Sequence, residues 1–533
     1  MIEMLLDHVP VLSVLLPAFT AVLLLITGDP HQSTHSARRI LIQRSLAVLS
    51  TTLGLLMSIA LVIHAQAGVV TVYPLGSWPA PFGIVLVLDR LSALMLLLTH
   101  IVALPAVAYA CLGWDRRGRY FHALLQFQLM GLCGAFVTGD LFNLFVFFEI
   151  LLIASYVLLL HGQGRERFRR GLHYVVLNLA ASALFLVALA LIYALTGTLN
   201  MADLTFKVSQ LQGQDALLAQ SAAFMLLVVF GLKAALVPLY FWLPSTYAAA
   251  SAPVAALFAI MTKVGVYSII RVHAVIFDVP TNAVMSVHDW LLPLALASSL
   301  LGVLGALAAR TLKRLVSYLT VSSVGTILAG VGLFNVSGLS AALYYTIHST
   351  IVVAGLFLLV ELIGQQRGDA EDDLRPTVQV REPLMLGLLM LLGAASVAGL
   401  PPLPGFIGKL MILYSAIGNE MQIWVWSVIL LVGFLSLIGL ARAGVILFWH
   451  VEPAPKDCDK VPRASPILLV ATLALLGTSV VMAVIAAPMK RYTDATALQL
   501  LNKQAYIQAV LTDTHTTQPY TGQRPATAIA EGH

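Results

Sequence analysis

The sequence predicts an all-α, polytopic membrane protein, and three observations carry that prediction. Of 533 residues, 59% are hydrophobic and only 10% are charged, whereas a soluble domain carries about 25% charged residues. A single soluble core stops growing near ~250–300 residues, so one large interior does not account for the deficit. Apolar stretches of roughly 20 residues recur along the chain, each long enough to cross a bilayer as a helix. The short alternating segments of an outer-membrane barrel are missing.

About fourteen spans follow, near 9–27, 44–64, 88–111, 121–138, 141–161, 173–195, 217–240, 253–277, 289–309, 312–334, 341–364, 383–417, 424–448 and 466–487. The first follows the acidic start MIEMLLDHVP, where a signal peptide would be basic, so a retained helix is expected. The seventh contains Pro238, which removes a backbone donor and interrupts the helix. The twelfth is too long for one straight helix; GLPPLPG at 399–405, with Pro401, Pro402 and Pro404, should break it. The polar stretch 488–533 is expected to hold a surface helix over 493–512 and then a disordered tail.

The loops set an orientation. With fourteen spans every second loop lies on one side. One set carries Arg38 and Arg39; Arg116, Arg117 and Arg119; Arg165, Arg167, Arg169 and Arg170; Arg310, Lys313 and Arg314; Arg367, Arg375 and Arg381; and Lys456, Lys460 and Arg463. The other set holds little beyond Lys207. The positive-inside rule places the first set in the cytoplasm and both termini on the opposite side.

Several function classes fall away. The net charge of +5 is spread over short loops, not gathered as a nucleic-acid patch. Cys111, Cys133 and Cys458 have no metal-site spacing and read as small hydrophobes. No Walker A motif and no dinucleotide fingerprint occurs, so neither a cofactor nor ATP is expected. Movement of ions remains, with any energy source elsewhere.

A charge at the bilayer centre costs about 2.5–3.5 kcal/mol on insertion scales, so each needs a partner, water or a function. Five ionisable residues stand out. Glu149 is mid-span in LFNLFVFFEILLIASYVLLL, as a structural ion pair or a charge in an ion path. Lys233 precedes Pro238 by five residues, beside the helix interruption. Burial disfavours the charged form of a lysine and a nearby carboxylate favours it, so a Lys233 that senses Glu149 can be switched between holding and releasing a proton. Lys263 is again mid-span, with no carboxylate on its own helix. His348 is either a satisfied core histidine or a proton relay, since an ordinary imidazole titrates near ~6.5. Lys409 follows the second break. Two Pro-interrupted helices in corresponding halves point to inverted repeats with ion sites at the breaks. Asp89, Arg90 and Asp140 are expected to reach the interface, Glu361 to snorkel at a helix end, and Arg442 to lie deep without an evident partner.

Three segments carry a family resemblance: FVTGDLFNLFVFFEILLIASY (136–156), GLKAALVPLYFWLPSTYAAASAPVAALFAIMTKVGVY (231–267) and GLPPLPGFIGKL (399–410). With YPLGSWPAPFGIVLVLDRLSALMLLLT (73–99), they resemble the antiporter-like membrane subunits of respiratory complex I and of multisubunit cation/proton antiporters, and most closely the D-type subunits of the Mrp-type (Pha or Mnh) antiporters. The resemblance implies fourteen helices in two inverted five-helix repeats, with helices 7 and 12 broken. The chain would divide into an N-terminal region (1–120), a first repeat (121–277), a second repeat (289–448), a last helix (466–487) and the polar tail (488–533). It implies that Glu149, Lys233, Lys263, His348 and Lys409 form a hydrated proton axis along the middle of the membrane. The partners it implies are the other Mrp-type components, namely A (or a fused AB), B, C, E, F and G, with H⁺ and Na⁺ or K⁺ as the ions, in a bacterial inner membrane.

The departures help. Tyr240 and Tyr247 stand where complex I relatives carry histidines, as is usual in Mrp-type subunits. Ser323 stands where those relatives often carry His or Gln, and Val352 and Val353 where many carry a lysine. The A-type subunits carry a long extra C-terminal membrane region that this sequence lacks, so the D type is expected rather than the A type. The rival readings are a proton-pumping subunit of a redox-driven complex and a silent membrane scaffold.

Overall fold

The computed structural model describes residues 2–28, 36–78, 83–277, 286–452 and 463–511. The elements run α1 (Ile2–Ile26), α2 (Ser36–Ala65), β1 (Thr71–Pro74), β2 (Val85–Leu88), α3 (Arg90–Ala110), α4 (Phe121–Val137), α5 (Leu141–Leu160), α6 (Arg165–Thr196), α7 (Met201–Val208), α8 (Gly213–Ala234), α9 (Trp242–Ala249) and α10 (Ala252–Ile269). A π-helical turn (Ile270–Ile276) ends α10. Then come α11 (Val287–Ala308), α12 (Leu312–Val331), α13 (Val336–Gln365), β3 (Thr377–Val378), α14 (Pro383–Ala398), α15 (Pro404–Ser415), α16 (Gln422–Phe448), β4 (Val451–Glu452), α17 (Pro466–Val484), α18 (Ala486–Leu501) and α19 (Lys503–Leu511). Among the described residues, 12 helices are long and apolar enough to cross a membrane, and α4 and α14 are shorter apolar helices.

Local chemistry sets many of the helix starts. Asp89, Asp140, Asn200, Thr311 and Asn335 are N-caps whose side chains accept from backbone N–H groups of the first turn. Small residues then let helices touch. A Cβ on Gly302 would meet the backbone of Ser322, and one on Gly325 the backbone of Ser299 and Ala295, so α11 and α12 lie backbone to backbone. Every residue of α10 is buried, and nearly every one of α13. These two central helices carry Lys263 and His348.

The loops gather at two ends. At one end Arg44 pairs with Asp115 at 2.6 Å, Arg167 donates to Ala249 O, Leu374 N–H donates to Arg310 O, and β3 pairs with β4. Near the other end β1 and β2 form an antiparallel hairpin, and Gln499 donates to Gly68 O. The described basic segments around Asp115, 165–170, 310–314 and 367–381 thus share the first end.

Several expectations need correction. Arg165, Arg167, Arg169 and Arg170 are not in a loop; they form the first turns of α6, because the helix continues past its apolar part into polar surroundings. Asp89 does not reach the interface: it is buried and its carboxylate takes two hydrogen bonds from Arg271, at 2.6 and 3.0 Å. Asp140 is buried as the cap of α5, and Arg90 donates to Gln66 O and Ala495 O. Arg442 has a partner, the Ala309 carbonyl at 3.0 Å. Cys111 caps the end of α3 instead of lying within it, and Cys133 is buried in α4. The expected surface helix over 493–512 is α18 and α19 packed onto the body. Thr493 and Thr496 are buried, Asp494 accepts from Ser340, and Tyr492 donates to Arg90 O, because polar side chains on these helices find polar partners on α13 and α3. Lys456, Cys458, Lys460 and the expected tail from 512 lie outside the described residues.

Candidate functional site

The first break follows Lys233. The helix ends because Ala235 turns left-handed, with φ +63°, and Pro238 supplies no N–H. Two of the carbonyls freed there, those of Gly231 and Leu232, are taken up without the lysine. Leu236 N–H donates to Gly231 O, the Trp242 indole donates to Leu232 O at 3.0 Å, and Val237 N–H donates to Ser298 Oγ. The Lys233 ammonium is therefore released from its own helix. It donates to Asn178 Oδ1 on α6 at 3.1 Å and lies 5.7 Å from the Phe148 ring centre.

Glu149, on α5, accepts a short hydrogen bond from Ser182, also on α6. Asn178 and Ser182 are four residues apart and so share one helix face. Glu149 and Lys233 make no ion pair within 4 Å, though each lies within electrostatic reach of the other. They are linked through α6. Polar residues in the 173–195 span were the signal available for Asn178 and Ser182, which sequence reasoning passed over because neither carries charge.

Lys263 follows on α10. It is fully buried, and among the described residues its ammonium has no hydrogen-bond partner. α10 presses against the first break: a Cβ on Gly265 would strike Ala234 N at 2.5 Å and Phe230 O at 2.8 Å. His348, on α13, lies within electrostatic reach of both Lys263 and Lys409. Its Nδ1 is likewise unpartnered among the described residues.

The second break separates α14 from α15. Gly399 takes φ +85°, and Pro404 opens α15 instead of interrupting a helix, since a first-turn N–H is not needed there. The Val237–Pro238 and Pro401–Pro402 peptides are cis. Lys409 reaches back across the break and donates to Val397 O at 3.0 Å and Ala398 O at 2.9 Å. A small cavity of about 10 Å³ beside it is lined by His348, Ser323, Ser349 and Ser436. That is near the minimum volume for a single water. On its other side Lys409 lines a cavity of about 240 Å³ with Gly399, Leu430 and Phe434.

The structure thus assembles the five ionisable residues in two groups: Glu149 with Lys233 through α6, and His348 with Lys409 around a polar cavity. Lys263 stands between them. Such a line offers sites that a proton can occupy in turn.

The NADH:quinone oxidoreductase/Mrp antiporter transmembrane family matches residues 138–439, which include all five. The chain belongs to this family. Its full length is similar to the D component of a probable K⁺/H⁺ antiporter of Rhizobium meliloti, at 39% identity over 95% of this chain and 98% of that one. It is 36% identical to the D component of the Na⁺/H⁺ antiporter of Alkalihalophilus pseudofirmus, over 95% and 99% of the two chains. Among solved structures it is similar to a chain of the Mrp complex from Dietzia, at 27% identity and a TM-score of 0.83, over 95% and 99%.

Proposed function

We propose that this chain is the proton-handling membrane subunit of a multisubunit Na⁺ or K⁺/H⁺ antiporter, working with partner subunits of the Mrp type and coupling inward proton flow to cation export. The observation that carries this reading is the line of ionisable groups, buried except for the half-buried Glu149, that meets two helix breaks. Near-full-length similarity to D-type antiporter subunits favours the antiporter over a redox-driven pump, and a transporter component over an enzyme.

A proton arriving at Glu149 neutralises the carboxylate that favours charge on Lys233. Lys233 then gives up its proton toward Lys263, and the charge passes to His348 and Lys409. Asn178 and Ser182 hold the first pair in place. The fold reads as fourteen spans in two inverted repeats, 121–277 and 289–448, after an N-terminal region (1–120) and before a last span at 466–487. In support, α6 packs on both halves of the first broken helix as α13 packs on both halves of the second. The end bearing the basic segments faces the cytoplasm of a bacterial cell, which puts the terminal helices at the outer side.

The test is an antiport assay on everted vesicles containing the whole complex, comparing Na⁺, K⁺ and Li⁺. Glu149→Ala or Lys233→Ala should abolish exchange while the partner subunits still copurify. Full exchange in either variant removes that residue from the path. Copurification with Fe–S or flavin subunits would favour the redox-driven reading instead.

A further inference from the structure

A wide cavity lies away from the proton line. It has a volume of about 850 Å³ and opens at the end that gathers the basic segments. Its walls come from both halves of the protein: the start of α6, the first break and α9 on one side, the end of α11 and the start of α12 on the other. Arg169, Arg170, His173, Arg310, Arg314 and Tyr318 supply its polar lining.

Four guanidiniums in one cavity repel each other unless an anion sits among them. Among the described residues only Arg170 has a carboxylate, Glu166 at 2.9 Å, while Arg169, Arg310 and Arg314 have no side-chain hydrogen bond or ion pair, so three positive charges there are uncompensated. The remaining wall is apolar apart from Ser245. Leu172, Val176 and Phe241 line the same cavity and are 57%, 56% and 50% exposed. They continue along α6 and the break, in the direction of the membrane-spanning body.

We propose that this cavity binds the headgroup of an anionic phospholipid, with its phosphate held by Arg169, Arg310 and Arg314 and its acyl chains lying along Leu172, Val176 and Phe241. A planar guanidinium fork matches a phosphate diester, and a basic pocket between membrane helices on the side of the basic loops suits such headgroups. The bound lipid would bridge the two halves of the protein. A soluble anion would use the arginines and leave the apolar wall idle.

The test uses the whole complex exchanged into vesicles of phosphatidylcholine alone, or with phosphatidylglycerol or cardiolipin added. The complex is then stripped in detergent and its retained lipid read by native mass spectrometry. Wild type should keep an anionic lipid and no phosphatidylcholine. Arg310→Gln with Arg314→Gln should cut retention about tenfold, while Arg116→Gln, at the same end but outside the cavity, should leave it unchanged. Should the glutamine variant fail to assemble, Arg310→Lys with Arg314→Lys keeps the loop charge without the fork, and retention should still fall. Equal retention in whichever variant assembles, equal retention of phosphatidylcholine, or displacement of the lipid by inorganic phosphate would overturn the proposal. An acidic segment of a neighbouring protein found seated in the cavity would do the same.

Discussion

The two broken helices solve one problem in opposite ways. A break frees backbone carbonyls in a region where unpaired polar groups are costly. At the first break the indole of Trp242 and the turned backbone take up those carbonyls, so Lys233 is free to face Asn178 and, beyond it, Glu149. At the second the lysine itself does the capping, holding Val397 O and Ala398 O, and among the described residues no carboxylate lies within electrostatic reach of it. The lysine precedes its break in one case and follows it in the other. The first break therefore leaves its lysine within electrostatic reach of a carboxylate. The second ties the charge of its lysine to the integrity of the helix, so that a proton leaving Lys409 weakens the contact that closes the break.

Glu149→Ala removes the acid that only the first break has, and antiport should vanish with the complex intact, as judged by vesicle exchange and copurification. Trp242→Phe leaves the Leu232 carbonyl without its indole donor. That carbonyl keeps the Ala235 N–H at 3.1 Å, so the loss is one hydrogen bond of about 0.5–1.5 kcal/mol, and the unfolding midpoint should drop modestly, read by thermal melting of the purified complex. Should the midpoint hold, Lys233 has swung back to cap its own helix and the contrast between the breaks fails. Asn178→Ala removes the link between Lys233 and α6, and exchange should slow about tenfold, the rate equivalent of roughly 1.4 kcal/mol. An unchanged rate would mean that Glu149 acts on Lys233 without help from α6.

The smallest effect is a control far from both breaks. Burial alone would push the Asp115 carboxyl up, but hydrogen bonds from His122 and Arg44 outweigh it and hold the group down at about 2. A carboxyl held low in the folded state stabilises it above its ordinary value of 3.8, and that contribution is lost as pH falls through about 2. Asp115→Asn should lower the unfolding midpoint at neutral pH by an amount that shrinks as the pH is taken below 3.8, with antiport unaffected.

The parts legible in sequence were those written in composition and in charge. The spans, the two breaks and the five ionisable residues all come from hydropathy, proline and the cost of buried charge. Hydropathy did not show where α6 begins, because Arg165–Arg170 extend a helix whose apolar part starts later. It did not show that Asp89 and Arg271 meet across 182 positions, nor that α18 and α19 return to the body through Ser340 and Arg90, since such pairings are properties of the fold and leave no periodicity. Asn178 and Ser182 were missed for a different reason. An uncharged polar residue in a span is cheap enough to pass unnoticed, yet these two are the α6 partners of Lys233 and Glu149. Pro404 reads as a breaker by type and is a helix starter by position.

The most direct measurement sets Lys233→Met beside Lys409→Met in the whole complex, recording antiport rate and thermal midpoint for each. The contrast between the breaks predicts that both lose exchange, that Lys233→Met keeps a midpoint near wild type, and that Lys409→Met lowers it because two carbonyls lose their donor. Equal midpoints, or a larger drop for Lys233→Met, would contradict it.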